Sequence, residues 1–299
     1  MSRRLLKEEL QALCDTAICA AQEAGQWVKN YDRRSLQRAF KNSGSSAASQ
    51  IVTQVDVRSE EIIRKHLAPA SELFDIAFVG EESSFTCLDK SNERFEKPYF
   101  WCIDPLDGTL AFFEGRSGYA VSISLVEKSG KPLLGVVYDP SRNVLLHAIH
   151  GQGSYQNLNR FSRSAGVSNK LMVFADQSFR THQKYKEAVA VLKDCARALC
   201  LDGVTFLYGS GAVQNACQVI DSWHACYVKL PKKKEGGGSI WDFSATACIA
   251  SEAGTWVSNI HGQPLALNRR DSTFMNYDGV IFASNEIIAQ YLINAFMSR

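Results

Sequence analysis

Six acidic side chains stand in places where carboxylates are costly. Asp56 ends VTQVD, Glu81 and Glu82 follow an apolar run in VGEES, Asp104 and Asp107 interrupt FWCIDPLDGTLAFFEG, and Asp242 follows GGGSIW. A carboxylate among apolar neighbours needs a cation or hydrogen-bond donors to offset its charge. Taken singly, each acid reads as a cap or turn residue, and Asp242 has the position of a simple helix cap. Taken together, acids at the ends of several short elements can converge on one edge of a sheet. Converging carboxylates raise one another's pKa values unless cations balance them. The donors are all oxygen, without accompanying Cys or His, which suits Mg2+, Mn2+ or Ca2+ and argues against zinc. Gly108-Thr109 adds a complement, because a helix that starts there turns free N–H groups toward an anion such as phosphate. Divalent cations beside such groups make a phosphate-ester site. Two metals there can bridge phosphoryl oxygens, produce hydroxide from water and stabilise a leaving alkoxide.

The spacing of DPLDGT speaks against one rival chemistry. Haloacid-dehalogenase-type phosphatases carry DxDxT, with nucleophilic and acid aspartates two apart. Here Asp104 and Asp107 are three apart, with Pro105 after the first. That pattern disfavours an aspartyl-phosphate mechanism and fits metal-assisted attack by water.

These residues need a frame. Leucines, alanines and Val28 recur at helical spacing over about residues 4–30, which predicts a long amphipathic helix. KNSGSSAASQ, Lys41 to Gln50, reads as a polar loop, and a second helix is expected over about Asp56 to Leu67. FDIAFVGEES and YFWCIDP read as strands that each end in an acidic turn. Residues 118–156 contain three alternating or β-branched runs broken at SGKP and DPSRN, the pattern of a β-meander. Beyond about residue 165, strands (LMVFA, ACYVKL, GVIFAS) alternate with helices (YKEAVAVLKDCARAL, GAVQNACQVI, WDFSATACIASEAG, NEIIAQYLINAFM). The reading is an α+β N-terminal half, residues 1–160, holding an antiparallel sheet and most of the acids. An α/β C-terminal half, residues 161–299, contributes Asp242.

Composition narrows the partners. The 33 basic and 31 acidic residues leave a net charge of +2, too small to predict nucleic acid or an anionic membrane as a partner. No apolar run approaches the roughly 18 residues of a membrane span, and MSRRLLKEELQALCDTA is too charged for a secretory signal. Nine cysteines lie scattered without a CxxC pair, so reduced thiols in a cytoplasmic protein are expected. His147, His150 and His224 lack metal-ligand spacing. Trp101, Phe112 and Phe113 read as core around the acidic turn, and packing is the simpler role for Trp223 and Trp241.

In this order and at these separations, VTQVD, VGEES, WCIDPLDGT, GSGAV and IWDFSATACIASEAG resemble the signatures of the inositol monophosphatase superfamily. The resemblance runs from about Val52 to Gly254. It implies a Mg2+-dependent, lithium-sensitive phosphomonoesterase with a layered α/β/α/β/α sandwich, in a family whose members are commonly homodimers. Position by position, it implies that Glu81, Asp104 and the Leu106 carbonyl hold a first Mg2+. Asp104, Asp107 and Asp242 hold a second, and a third, weaker ion sits near Glu81. Thr109, helped by Asp56 or Glu81, orients and deprotonates the attacking water, and the N–H groups of Gly108 and Thr109 meet the phosphate.

The superfamily leaves several small phosphorylated metabolites open as substrate. Glu235, seven residues before Asp242, matches a glutamate that contacts inositol hydroxyls and favours a polyol. PKKKEGGGS departs from the compact family pattern, and Lys232 to Lys234 there read either as a solvated loop or as attraction for a substrate with more than one phosphate. PLALNRRDSTFMN resembles a segment of bacterial 3′(2′),5′-bisphosphate nucleotidases and places Arg269 and Arg270 near a nucleotide. Gly209 and Ser210 of GSGAV are expected to border the leaving group. The balance favours a bisphosphate nucleotidase acting on phosphoadenosine phosphate, with inositol-1-monophosphatase as the alternative. A non-catalytic metal- or phosphate-binding relative is a third reading, which the intact set of acids and Thr109 weighs against.

Overall fold

The computed structural model describes residues 4–32, 45–86, 90–164, 166–236 and 238–298. Two long helices open it, α1 (Lys7–Asn30) and α2 (Ser45–Phe74). The buried stripe of α1 is small: Cys14, Ala17, Ala20, Ala21, Ala24 and Gly25 lie between Leu13 and Val28. That stripe lets α1 approach α2 and the sheet beneath closely; Gly25 sits against the Tyr138 ring. The loop expected over Lys41 to Gln50 is helix from Ser45, and its first part lies outside the described residues. The second helix also runs beyond Leu67, through Pro69. Local composition is a weak preference, and packing along a whole helix overrides it.

A seven-stranded sheet follows in sequence order: β1 (Ile76–Gly80), β2 (Tyr99–Asp107), β3 (Ala120–Glu127), β4 (Pro132–Asp139), β5 (Val144–Ile149), β6 (Gly153–Gln156) and β7 (Asn159–Arg160). Only β1 and β2 pair in parallel; β3 to β6 form the expected meander. The second sheet comprises β8 (Leu171–Ala175), β9 (Val204–Tyr208), β10 (Ala225–Lys229), β11 (Trp256–Ser258) and β12 (Val280–Ala283), in the order β11-β12-β10-β8-β9. β9 and β11 escape the sequence reading. Both are short edge strands whose residues are mostly half-buried. The remaining helices are α3 (Glu81–Thr86), α4 (Thr109–Phe113), α5 (Tyr185–Ala198), α6 (Ala212–Asp221), α7 (Ile240–Glu252) and α8 (Glu286–Met297).

Strand alternation sorts the side chains into layers. Tyr99, Trp101 and Ile103 of β2 face α1 and α2, whereas Phe100 and Cys102 face a central layer holding α6 and α7. Across that layer lie Phe174, Ala225, Tyr227 and Phe282, while Val173, Cys226, Val228 and Ile281 face α5 and α8. The result is the expected α/β/α/β/α sandwich. α7 is its axle, buried at every position from Ile240 to Ala250 except Asp242. A helix apolar all round has to be enclosed, and Gly135 of β4 allows that, since a Cβ there would strike the Ala245 backbone.

Candidate active site

Period-two alternation places Asp104 on the same face as Phe100 and Cys102, toward α7. A regular strand would send Asp107, three residues on, to the opposite face. Instead the register between β2 and β3 shifts between Asp104 and Asp107, where Pro105 has no N–H to give the ladder. The bulge turns both aspartates inward. The Leu106 N–H donates to Asp104 Oδ1 at 3.1 Å, and the Pro105 carbonyl accepts from Ser59 Oγ at 2.8 Å. Gly108, with φ of 81°, then opens α4; a Cβ there would collide with the Gly118 carbonyl. Thr109 Oγ1 donates to the Leu106 carbonyl at 3.2 Å.

Asp242 arrives from the first turn of α7, where its Oδ2 accepts the Ser239 N–H. It therefore caps its helix and also faces the strand. Asp104, Asp107 and Asp242 each offer an oxygen within 4.8 Å of the others. Asp107 has a further partner: its two oxygens accept the N–H groups of Ala212 and Val213 at 3.0 and 2.9 Å, the first turn of α6. Gly211 makes this possible, because a Cβ there would overlap the Asp107 carboxylate. Gly209 and Ser210 precede it and are tied back by Arg116, which donates to the Gly209 carbonyl, and by Gln218, which donates to Ser210 Oγ.

Two more acids close the group. Glu81 heads α3, directly after β1, and lies beside Asp104, whose pKa its charge raises. Asp56 lies inside α2 rather than at an element end; it is buried, and its Oδ1 has no hydrogen-bond partner. Burial pushes Asp56 up to about 8, with help from Glu82 and Glu81. Burial does the same for Glu81, also to about 8, reinforced by Asp242 and Glu82. Asp104 and Asp107 are held well above the usual carboxylate range, first by burial and then by Glu81 and Asp242 respectively. Asp242 is raised by burial and pulled back by the Lys229 ammonium and the Ser239 N–H. A buried, all-oxygen cluster with an orphaned carboxylate oxygen lacks positive charge. A hard divalent cation fits it.

Two residues at this site went unread in the sequence. Asp176, just past β8, and Lys229, at the end of β10, form an ion pair of 3.0 Å beside Asp242. Asp176 also accepts from Tyr227 OH at 3.0 Å and Asn215 Nδ2 at 3.1 Å. A charge at a strand end was their only signal. Glu235 lies exposed on the loop after β10, as do Lys233 and Lys234. Arg269 is engaged by Asp271 and Asp278, and Arg270 lies over the Phe95 ring. Trp101, Phe112 and Trp241 are buried in the core as expected, while Trp223 is exposed beneath the Arg163 guanidinium. The eight described cysteines are free, and no helix among the described residues is long and apolar enough to cross a membrane.

The chain is similar over most of its length to known proteins. The chain is 30% identical to inositol monophosphatase 2 of Solanum lycopersicum over 93% of its length and 99% of that protein's. It is 26% identical to the 3′(2′),5′-bisphosphate nucleotidase CysQ of Aggregatibacter actinomycetemcomitans (88% and 90%) and 30% identical to Nus factor SuhB of Pasteurella multocida (85% and 87%). Among solved structures, an inositol monophosphatase from Anabaena superposes with a TM-score of 0.68 at 23% identity, covering 97% of this chain and 96% of that one. The family model for the inositol monophosphatase family matches residues 9–297, and the chain belongs to that family.

Proposed function

We propose that this protein is a Mg2+-dependent phosphomonoesterase. The observation that carries the reading is the convergence of Asp104, Asp107 and Asp242, with Glu81 and Asp56 beside them, in a buried pocket short of positive charge. Glu81, Asp104 and the Leu106 carbonyl would hold one ion, and Asp104, Asp107 and Asp242 a second, with a third held more weakly near Glu81. Mg2+, when bound, supplies the charge that these carboxylates lack and acidifies water for attack on phosphorus. Thr109 would orient the attacking water: its hydroxyl proton goes to the Leu106 carbonyl, which leaves its lone pairs as acceptors. Asp56 or Glu81, held protonated by burial in the metal-free protein, would be ionised once a cation is bound and so could take the proton. The N–H groups of Gly108 and Thr109 meet the phosphate, and Gly209 and Ser210 border the leaving group. The N-terminal half, residues 1–160, thus carries most of the chemistry, and residues 161–299 contribute Asp242 and the contacts to the leaving group.

The preferred substrate is a 3′(2′),5′-bisphosphate nucleotide such as phosphoadenosine phosphate. Lysine rather than glutamate stands at the wall beyond Asp242, and Glu235, the candidate polyol contact, is exposed on its loop. Inositol 1-phosphate is the second reading, supported by the names of several relatives. A staphylococcal enzyme of this fold was captured with inositol monophosphate and with 2′AMP, so one such scaffold accommodates both classes. Phosphate release from phosphoadenosine phosphate and from inositol 1-phosphate, with Mg2+ and with EDTA, tests the proposal. Release is expected only with Mg2+ and faster from the nucleotide. Preference for the inositol ester would reverse the substrate choice, and silence on both would sink the phosphatase reading.

A further inference from the structure

Beside the acidic cluster, on the side of the second sheet, lies a cavity of about 180 Å³ lined by Asp176, Phe179, Lys229, Lys232, Met275 and Asn276, among others. Three observations give it the character of a recognition site. First, Lys229 is rigidly seated. Its ammonium pairs with Asp176, lies 5.5 Å from the Phe243 ring, and passes over Gly238, where a Cβ would crowd it. Its side chain is 13% exposed, so water and salt screen its charge weakly. Second, Asp176 is itself held by Tyr227 and Asn215, which fixes the lysine's anchor in place. Third, Asn276 is 4% exposed, and its Oδ1 has no hydrogen-bond partner. Its Nδ2 donates to the Lys232 carbonyl at 2.9 Å, and the Lys232 N–H returns a bond to the Asn276 carbonyl at 2.8 Å. A buried acceptor left unmet is costly and calls for a donor. The wall therefore offers an ammonium paired with the Asp176 carboxylate, an acceptor and the apolar faces of Phe179 and Met275, beside the acidic cluster.

We propose that Lys229 is a specificity-determining residue, selecting leaving groups that bear a second anionic group over leaving groups that are neutral. The inference rests on the phosphomonoesterase reading above and sharpens it. In that reading the acidic cluster handles the phosphate that is cleaved, whatever it is attached to. Discrimination must come from the far wall, and Lys229 is a half-buried cation there. Asn276 Oδ1 meets a donor on the same leaving group, such as a hydroxyl or the exocyclic amine of a base.

Adenosine 3′,5′-bisphosphate and adenosine 3′-monophosphate differ only in the second phosphate, so the ratio of their kcat/KM values isolates its recognition. Any general damage to the site cancels in that ratio. The wild-type protein should favour the bisphosphate by about tenfold or more, Lys229→Met should bring the ratio near one, and Lys229→Arg should restore most of it. The change should appear mainly in KM for the bisphosphate, whereas a merely structural role for Lys229 would depress kcat on both esters alike. A wild-type ratio near one, or a ratio that Lys229→Met leaves unchanged while both esters are hydrolysed, would overturn this inference alone. If neither nucleotide nor inositol 1-phosphate is hydrolysed with Mg2+, the phosphatase reading fails and takes this inference with it.

Discussion

The turn from Asp104 to Thr109 and the wall made by Asp176, Lys229 and Asn276 face the same pocket but are built in opposite ways. Six consecutive residues form the turn, at the end of a strand whose nine positions are all buried. The wall draws on the ends of two strands and a distant loop, 100 residues apart in sequence from Asp176 to Asn276. Each part of the turn acts on its neighbours: Pro105 forces the bulge, the bulge turns Asp107, and Gly108 opens α4. The wall's residues are brought together by strand pairing and long-range contacts that exist only after folding. A reaction centre needs its charges fixed closely, and a contiguous turn in a packed frame does that. A recognition wall can vary one residue at a time.

The sharpest way to break this comparison is at the turn. Asp104→Asn keeps the shape and most hydrogen bonds but removes the charge shared by both cation positions. Mg2+-dependent hydrolysis should fall by about 10³-fold or more, with the melting temperature of the metal-free protein unchanged or higher, because a repelled buried carboxylate is gone. Circular dichroism melts alongside a phosphate-release assay check both halves. Undiminished activity would remove Asp104 from the metal site, and the turn would lose its claim to be the reaction centre.

An effect of intermediate size concerns protons. Asp56 and Glu81 have pKa values raised to about 8 in the folded, metal-free protein, against ordinary values of 3.8 and 4.5. Above the unfolded values the unfolded chain has lost these protons while the folded chain retains them. Their contribution to stability is therefore fully present below about pH 4 and is lost as pH rises toward about 8. A cation takes the place of the protons, so it should stabilise most where they have left. The rise in melting temperature on adding saturating Mg2+ should be larger at pH 8 than at pH 6, by about 2–4 °C for each kcal/mol of difference. An increment larger at pH 6 would show that the acids do not lose protons to the metal. In the comparison of the two regions, this measures the acidic cluster gathered around the turn.

How legible each region is follows from the same contrast. DPLDGT could be read because strand, breaker, acid and helix start lie within one stretch, so their geometry is local. The meander and the central helices could be read because their apolar patterns persist over many residues. Asp56 was read as an acid at an element's end and lies within a helix; its approach to Glu81 and Glu82 is a matter of how α2 lies along β1, which no local pattern records. Asp176 and Lys229 were passed over because a single charge at a strand end looks like any solvated residue until the strands pair. Glu235 drew attention by its spacing from Asp242, but spacing across a loop with three glycines does not fix a side chain's direction.

The smallest effect belongs to the exposed lysines after β10. Lys233 and Lys234 stand in solvent, where the Debye length at physiological salt is about 8 Å. At that screening they can raise the local concentration of an anionic substrate but cannot discriminate its geometry, in contrast to the half-buried Lys229. Replacing both by Gln should lower kcat/KM for a bisphosphate nucleotide by less than about threefold at physiological salt, with kcat unchanged. The difference from wild type should vanish as salt is raised. Rates measured across a salt series decide it. A loss that survives high salt would mean that the loop closes over the substrate, and recognition would then extend beyond the wall into PKKKEGGGS.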